Sequence, residues 1–140
     1  MILSASSSVT PTPSTQTLVT VASTGYSATY PNANMAINAG SGVYQFISAS
    51  STNVKQWGVV QGASTTVVYN SPGAVFMTYP YTYATTYTNT NVTGTFTQGT
   101  LTQSGTTTYD AYGTLKINGR TYSNVARQKY DMTYDYNYTS

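Results

Sequence analysis

The sequence predicts an all-β protein, an antiparallel β-sandwich or jelly-roll-like fold with essentially no helix and an extended N-terminal arm. Three observations carry that prediction. Composition is the first: fifteen of 140 residues are Tyr, Thr and Ser are abundant, and only 6% are charged. Thr, Tyr and Val suit a pleated, half-buried surface, and a chain this rich in aromatics does not read as disordered. Periodicity is the second. No stretch repeats apolar residues at i, i+3 and i+4, whereas Arg120–Ser140 alternates with period two. Its even positions include Tyr122, Tyr130, Met132, Tyr134, Tyr136 and Tyr138, and its odd positions include Arg127, Lys129, Asp131 and Asp135. The third is punctuation: short apolar runs are separated by Gly, Pro and Asn turn signals throughout.

In chain order, Met1–Ala22 reads as an arm and residues 23–140 as one β-sandwich domain. Ser4–Gln16 is a Ser/Thr/Pro-rich linker in which Pro11 and Pro13 forbid a central strand. Thr17–Ala22 is a compact strand candidate at the end of that arm, and Thr24–Gly42 is a turn-rich region. Strands follow at Val43–Ala49, at Val54–Val60 (which holds the single Trp) and at Thr65–Asn70. Ser71-Pro72-Gly73 is a turn signal. Ala74–Tyr79 begins a segment expected to run through Pro80 into Tyr81–Thr88. Asn91–Gln98 and Thr100–Tyr109 form a Thr-rich pair. Finally Tyr112–Ile117 meets Arg120–Val125 across Asn118-Gly119, the dipeptide suited to a type I′ two-residue hairpin. That register sets Ile117 opposite Arg120 and Leu115 opposite Tyr122. The alternating C-terminal stretch would span roughly 60 Å at ~3.3 Å per residue, so it either bends at a bulge or leaves the domain.

Charge and residue usage exclude several functions. Five cations and three anions are too few for a phosphate-tracking patch, so no nucleic-acid partner is expected. The chain has no His and no Cys, which removes the usual general bases, nucleophile activators and soft metal ligands. No enzyme activity, cofactor or metal is therefore expected. Asp110, Asp131 and Asp135 are the only side-chain carboxylates. Their plain reading is a wet strand face on which Arg127, Lys129 and Asp131 offset one another. The sharper readings are a glycosidase-like pair formed with Asp110 and a calcium site. No apolar run approaches a membrane span, so no membrane insertion is expected. Met1–Val9 lacks the features of a signal peptide, so an exported form would be a trimmed or internal piece of its precursor.

Three segments, Tyr30–Asn38 (YPNANMAIN), Pro80–Gly94 (PYTYATTYTNTNVTG) and Tyr109–Lys129 (YDAYGTLKINGRTYSNVARQK), together resemble a β-rich region. That region is common in secreted proteins of bacteria with type IX secretion. The family's F-P-N-A-N, F-P-x-x-Y, G-Y-G-T-L, G-T-Y-x-N-V and R-x-K pattern reads here as Tyr30–Asn34, Tyr79–Tyr83, Ala111–Leu115, Gly119–Val125 and Arg127–Lys129. The resemblance covers about the last 110 residues and leaves the arm outside. It implies an extracellular or cell-surface location and brings no catalytic residues.

The expected function is structural: a tyrosine-rich, self-assembling subunit of an extracellular filament or surface assembly, joined head to tail by donor-strand exchange. Leu18, Val19 and Val21 are the expected anchors of a donor arm. Tyr130, Met132, Tyr134, Tyr136 and Tyr138 form the second candidate interface, since Tyr supplies large contact area at low entropic cost. The alternative is a polysaccharide- or surface-binding module of a larger secreted protein, stacking sugar on Trp57, Tyr79, Tyr81 and Tyr83. For Trp57 the plainer reading is core, and for the tyrosine ladders it is packing with hydroxyls reaching water.

Overall fold

The computed structural model describes residues 2–4 (backbone only), 15–63 and 65–139. Most of the expected linker, residues 5–14, lies outside them. The described residues form ten strands: β1 (Ile2–Ser4), β2 (Thr17–Val19), β3 (Met35–Gly40), β4 (Val43–Ala49), β5 (Asn53–Gln61), β6 (Thr65–Tyr69), β7 (Ala74–Thr78), β8 (Thr86–Phe96), β9 (Gly99–Ile117) and β10 (Arg120–Tyr138). Their one helical piece is a 3₁₀ turn at Ala22–Thr24. The all-β class is as the composition predicts, but hydrogen bonds join the strands into one continuous sheet instead of two.

The order across the sheet is β2-β3-β4-β5-β6-β8-β9, with β10 on the other edge of β9 and β7 in line with β6 beside β5. All pairings are antiparallel except that of β1, which lies parallel to Thr114–Lys116 of β9. The sheet curls. In a flat sheet β10 would lie about 19 Å from β5 at ~4.8 Å per strand, yet side chains of both line one groove.

The β9–β10 hairpin is the longest element, nineteen residues in each strand. Asn118 and Gly119 both have positive φ, at 49° and 72°, as a type I′ turn requires. Ile117 faces Arg120 and Leu115 faces Tyr122, the expected register. Register shifts at Tyr122/Val125 and at Arg127/Gln128 bend the pair, so the overlong strand bends at bulges instead of leaving the domain.

Two cores hold the sheet. In the first, the segment after β2 folds over one face of β3–β6 and buries Val21 and Tyr30 against Ala36, Phe46, Trp57 and Val60. The Tyr30 ring stacks on Phe46 at 3.9 Å, and its hydroxyl donates to the Val67 carbonyl at 2.8 Å. Gly58 makes room for this: a Cβ there would lie 2.5 Å from the Tyr30 ring and 2.0 Å from the Val67 oxygen. The second core gathers Tyr69, Ala74, Val92 and Leu101.

The outer edge of β7 is completed by side chains, not by a strand. Asn89, buried in β8, accepts from Val75 N–H at 3.0 Å and donates to Val75 C=O at 2.8 Å. The Tyr109 hydroxyl likewise accepts from Thr78 N–H and donates to its C=O, both at 2.9 Å. Gln128 donates to the Phe76 carbonyl at 2.9 Å. Each group thereby takes the place of a peptide unit in the ladder.

The described strands depart from expectation at several places: β2 stops at Val19, and the segments expected at Thr100–Tyr109 and Tyr112–Ile117 are one strand, β9. β3 falls inside the region read as turns, because its Ala, Asn and Gly content hides a strand that β2 and β4 pair on both sides. Conversely, the chain leaves β7 at Thr78 and resumes pairing only at Thr86. Tyr79, Tyr81 and Tyr83 therefore sit on a turn instead of a common strand face, with a cis peptide at Tyr79-Pro80 and a positive φ of 63° at Ala84.

Candidate functional site

β10 dominates the functional reading because it offers both an edge and a face. Its inner edge pairs with β9 along its whole length, without a shift from Gln128 to Tyr138. Just beyond, Thr139 N–H donates to the Gln98 carbonyl at 2.9 Å. Antiparallel ladders alternate, so odd-numbered residues here point their amides at β9. The amides and carbonyls of Tyr130, Met132, Tyr134, Tyr136 and Tyr138 therefore point outward, and no described strand pairs with that edge.

The side chains of those same even residues turn into the curl of the sheet. Tyr130 stacks on Phe76 at 5.2 Å, donates to Gln128 Oε1 at 2.6 Å and lies 3.3 Å from the Phe76 carbonyl. This contact clips β10 to β7, and burial pushes the Tyr130 phenol up to about 12. Further along, Tyr134 and Tyr136 lie nearly parallel, 6.4 Å apart at 20°. Phe96 meets Tyr136 and Tyr138 edge-on at 5.4 and 5.3 Å. The three tyrosines are 45%, 49% and 68% exposed, so their rings face solvent while their positions are fixed by neighbours. Opposite them stand Gln56, Val59 and Val67, and the space between is a groove of about 460 Å³. Tyr69, buried at its floor, has its phenol raised well above the usual range by burial, with Tyr134 and Tyr136 adding to the effect.

The expected donor arm is divided. Thr17–Val19 pairs antiparallel with β3 of its own chain, as in a fold-back edge strand. Val21 belongs to the first core and Val19 packs against it, while Leu18 is exposed. Leu18 borders an apolar groove of about 360 Å³ with Ile37, Ile47, Val54 and Met77. β2 and β10 sit toward opposite ends of the strand order, yet Phe76, on which Tyr130 stacks, also lines the groove beside Leu18.

Trp57 is buried, and its indole N–H donates to Ser48 Oγ at 2.8 Å; this is the core position its Val-rich strand suggests. Tyr81 packs edge-on against Tyr79 and Tyr109, and Tyr83 against Tyr112, so the four predicted stacking residues do not form one platform. Among the carboxylates, Asp110 receives a two-point contact from Arg127, Nε to Oδ1 at 2.8 Å and Nη2 to Oδ2 at 3.0 Å. That hydrogen-bonded guanidinium holds the carboxyl below its usual range. Arg127 is thus engaged with the neighbouring strand and not with Asp131. No group of three or more His, Cys, Asp or Glu gathers among the described residues, and none of their helices is long and apolar enough to cross a membrane.

Composition pointed to the tyrosine face, but not to Gln98 and Gln103, which the β9–β10 pairing sets beside it, nor to Gln56, which the curl brings there. Comparison of the chain with protein-family models, with curated proteins and with solved structures finds no match.

Proposed function

We propose that this chain is a structural subunit of an extracellular or cell-surface assembly whose copies join through β-strand edges. The observation that carries the reading is the outer edge of β10, a strand of nineteen residues with no strand beside it among the described residues. An open edge of that length, whose five charged side chains are of mixed sign and leave little net repulsion, is a template for an extended segment of another chain. The donor is the arm ahead of Thr17, since Val19 and Val21 are engaged in the subunit's own core. The backbone of β1, drawn from that arm, already lies as an added strand on β9, which supports the arm's fitness for the role. An arm from one copy on the edge of the next is a head-to-tail contact that does not close on itself, and it propagates a filament. The likeness to regions of secreted bacterial proteins supports the extracellular setting.

Electron microscopy and sedimentation of concentrated protein test this. The full chain should form filaments, and a form lacking Met1–Gln16, which keeps β2 and Val21, should stay monomeric. Met132→Pro removes an outward amide together with the Met132 side chain but no amide that faces β9, and should fold yet fail to polymerise, whereas Thr133→Pro removes an amide facing β9 and should destabilise the hairpin. A full chain that stays monomeric at high concentration overturns the proposal. Filaments from the truncated form that Met132→Pro abolishes would replace arm donation by direct pairing of β10 edges.

A further inference from the structure

The face of β10 calls for a different ligand from its edge. We propose that the groove under Tyr134 and Tyr136 binds a neutral glycan chain. The C–H faces of a pyranose ring are apolar and pack on aromatic rings, while its hydroxyls need donors and acceptors at the rim. Tyr134 and Tyr136 supply two rings at 20° to one another, with Phe96 holding the second from its edge. Gln56 and Gln98 supply amides, each able to donate and accept, on the same groove. None of the residues lining it is charged, so an anionic chain would find no cation there. Its volume of about 460 Å³ falls within the ~300–1,000 Å³ of ordinary ligand clefts.

A second observation points the same way. Gln56 and Tyr134 also line an adjoining recess of about 140 Å³, and Gln103 lies in its wall. Gln103 is 5% exposed, its Nε2 has only the Met132 sulfur at 3.6 Å, and its Oε1 accepts no hydrogen bond within the protein. Buried polar side chains are normally satisfied, and an orphaned acceptor is a cost to the fold. Beside an aromatic groove, a turn of the Gln103 amide toward the recess would let it receive a sugar hydroxyl.

Affinity electrophoresis tests the proposal, with hydroxyethylcellulose, xyloglucan, galactomannan and dextran in the gels and polygalacturonate as the charged control. The form lacking Met1–Gln16 is run beside the full chain, so that self-association and glycan binding are read separately. Retardation is expected in at least one neutral gel and not in polygalacturonate. Tyr136→Ala should weaken it at least tenfold, while Tyr83→Ala, outside the groove, should leave it unchanged. Gln103→Leu should weaken retardation while keeping or raising the melting temperature, a pairing that a residue serving only the fold would not give. Absence of retardation in every neutral gel, equal retardation in polygalacturonate, or retardation indifferent to Tyr136→Ala each overturns the proposal. None of these outcomes bears on whether β10 edges assemble.

Discussion

Gly58 and Asn89 show how single residues decide this fold. A Cβ at Gly58 would sit 2.0 Å from the Val67 oxygen, backbone that cannot move without parting β5 from β6. Gly58→Ala should therefore cost more than about 2 kcal/mol, read by chemical denaturation, because overpacking here also displaces the Tyr30 ring. Asn89→Ala removes both partners of Val75 and leaves a buried N–H and C=O unpaired. The expected loss is about 2–4 kcal/mol, near one unsatisfied-group penalty for each. A melting temperature unchanged by Asn89→Ala would mean that another group can take over the edge of β7. Neither residue was legible in the sequence, since each acts on a strand reached only through the folded sheet. Trp57 was legible, because Val54, Val59 and Val60 around it already describe a core strand.

Among the elements, the turn of the β9–β10 hairpin and the register beside it were read from four or five residues, since a type I′ turn is a local event, whereas the pairing of Gln128–Tyr138 with Gly99–Tyr109 was not. Asn118 and Gly119 both adopt the left-handed region, which Gly reaches freely, Asn with little penalty and a β-branched residue scarcely at all. Gly119→Val should lower stability by more than about 1 kcal/mol and disturb the hairpin, with Asn118→Ala costing less. Equal effects in a thermal melt would deny the turn its role in setting the register. β3 escaped notice for the opposite reason: its pairing with β2 and β4 outweighs a composition that favours turns. The tyrosines at positions 79, 81 and 83 alternate as a strand would, but Pro80 donates no amide, and the chain turns there. The bulges at Asn124 and near Asp110 left the pattern of β10 readable while changing which carboxylate Arg127 meets.

At the scale of the whole molecule, the strands were predictable and the path of the sheet was not. Strand order and curl arise from contacts such as Gln128 to Phe76, 52 residues apart in sequence. The groove that depends on them was therefore invisible, although its tyrosines were in view. What the composition does dictate globally is the response to pH. The chain has no His and three side-chain carboxylates, of which Asp110 is held below its usual range in a solvent-exposed ion pair. Its contribution is present above the ordinary carboxylate range and fades on acidification, but an exposed pair contributes little. The tyrosines act in the other direction. Burial pushes Tyr30 up to about 12 and raises Tyr69 further, against about 10 in an unfolded chain. A raised phenol keeps its proton longer in the folded state, so its stabilisation is complete below pH ~10 and is lost as pH climbs toward ~12. Each such proton is worth roughly 1.4 kcal/mol per pH unit over that window, enough for two buried tyrosines to consume much of a domain's ~5–15 kcal/mol. The melting temperature should accordingly vary little from about pH 5 to about pH 9 and fall steeply from about 10 to about 12. Tyr30→Phe loses the hydrogen bond to the Val67 carbonyl and should melt lower at neutral pH, yet decline less steeply in alkali. Parallel alkaline declines for the two proteins would place the sensitivity outside Tyr30, at Tyr69 or on β10.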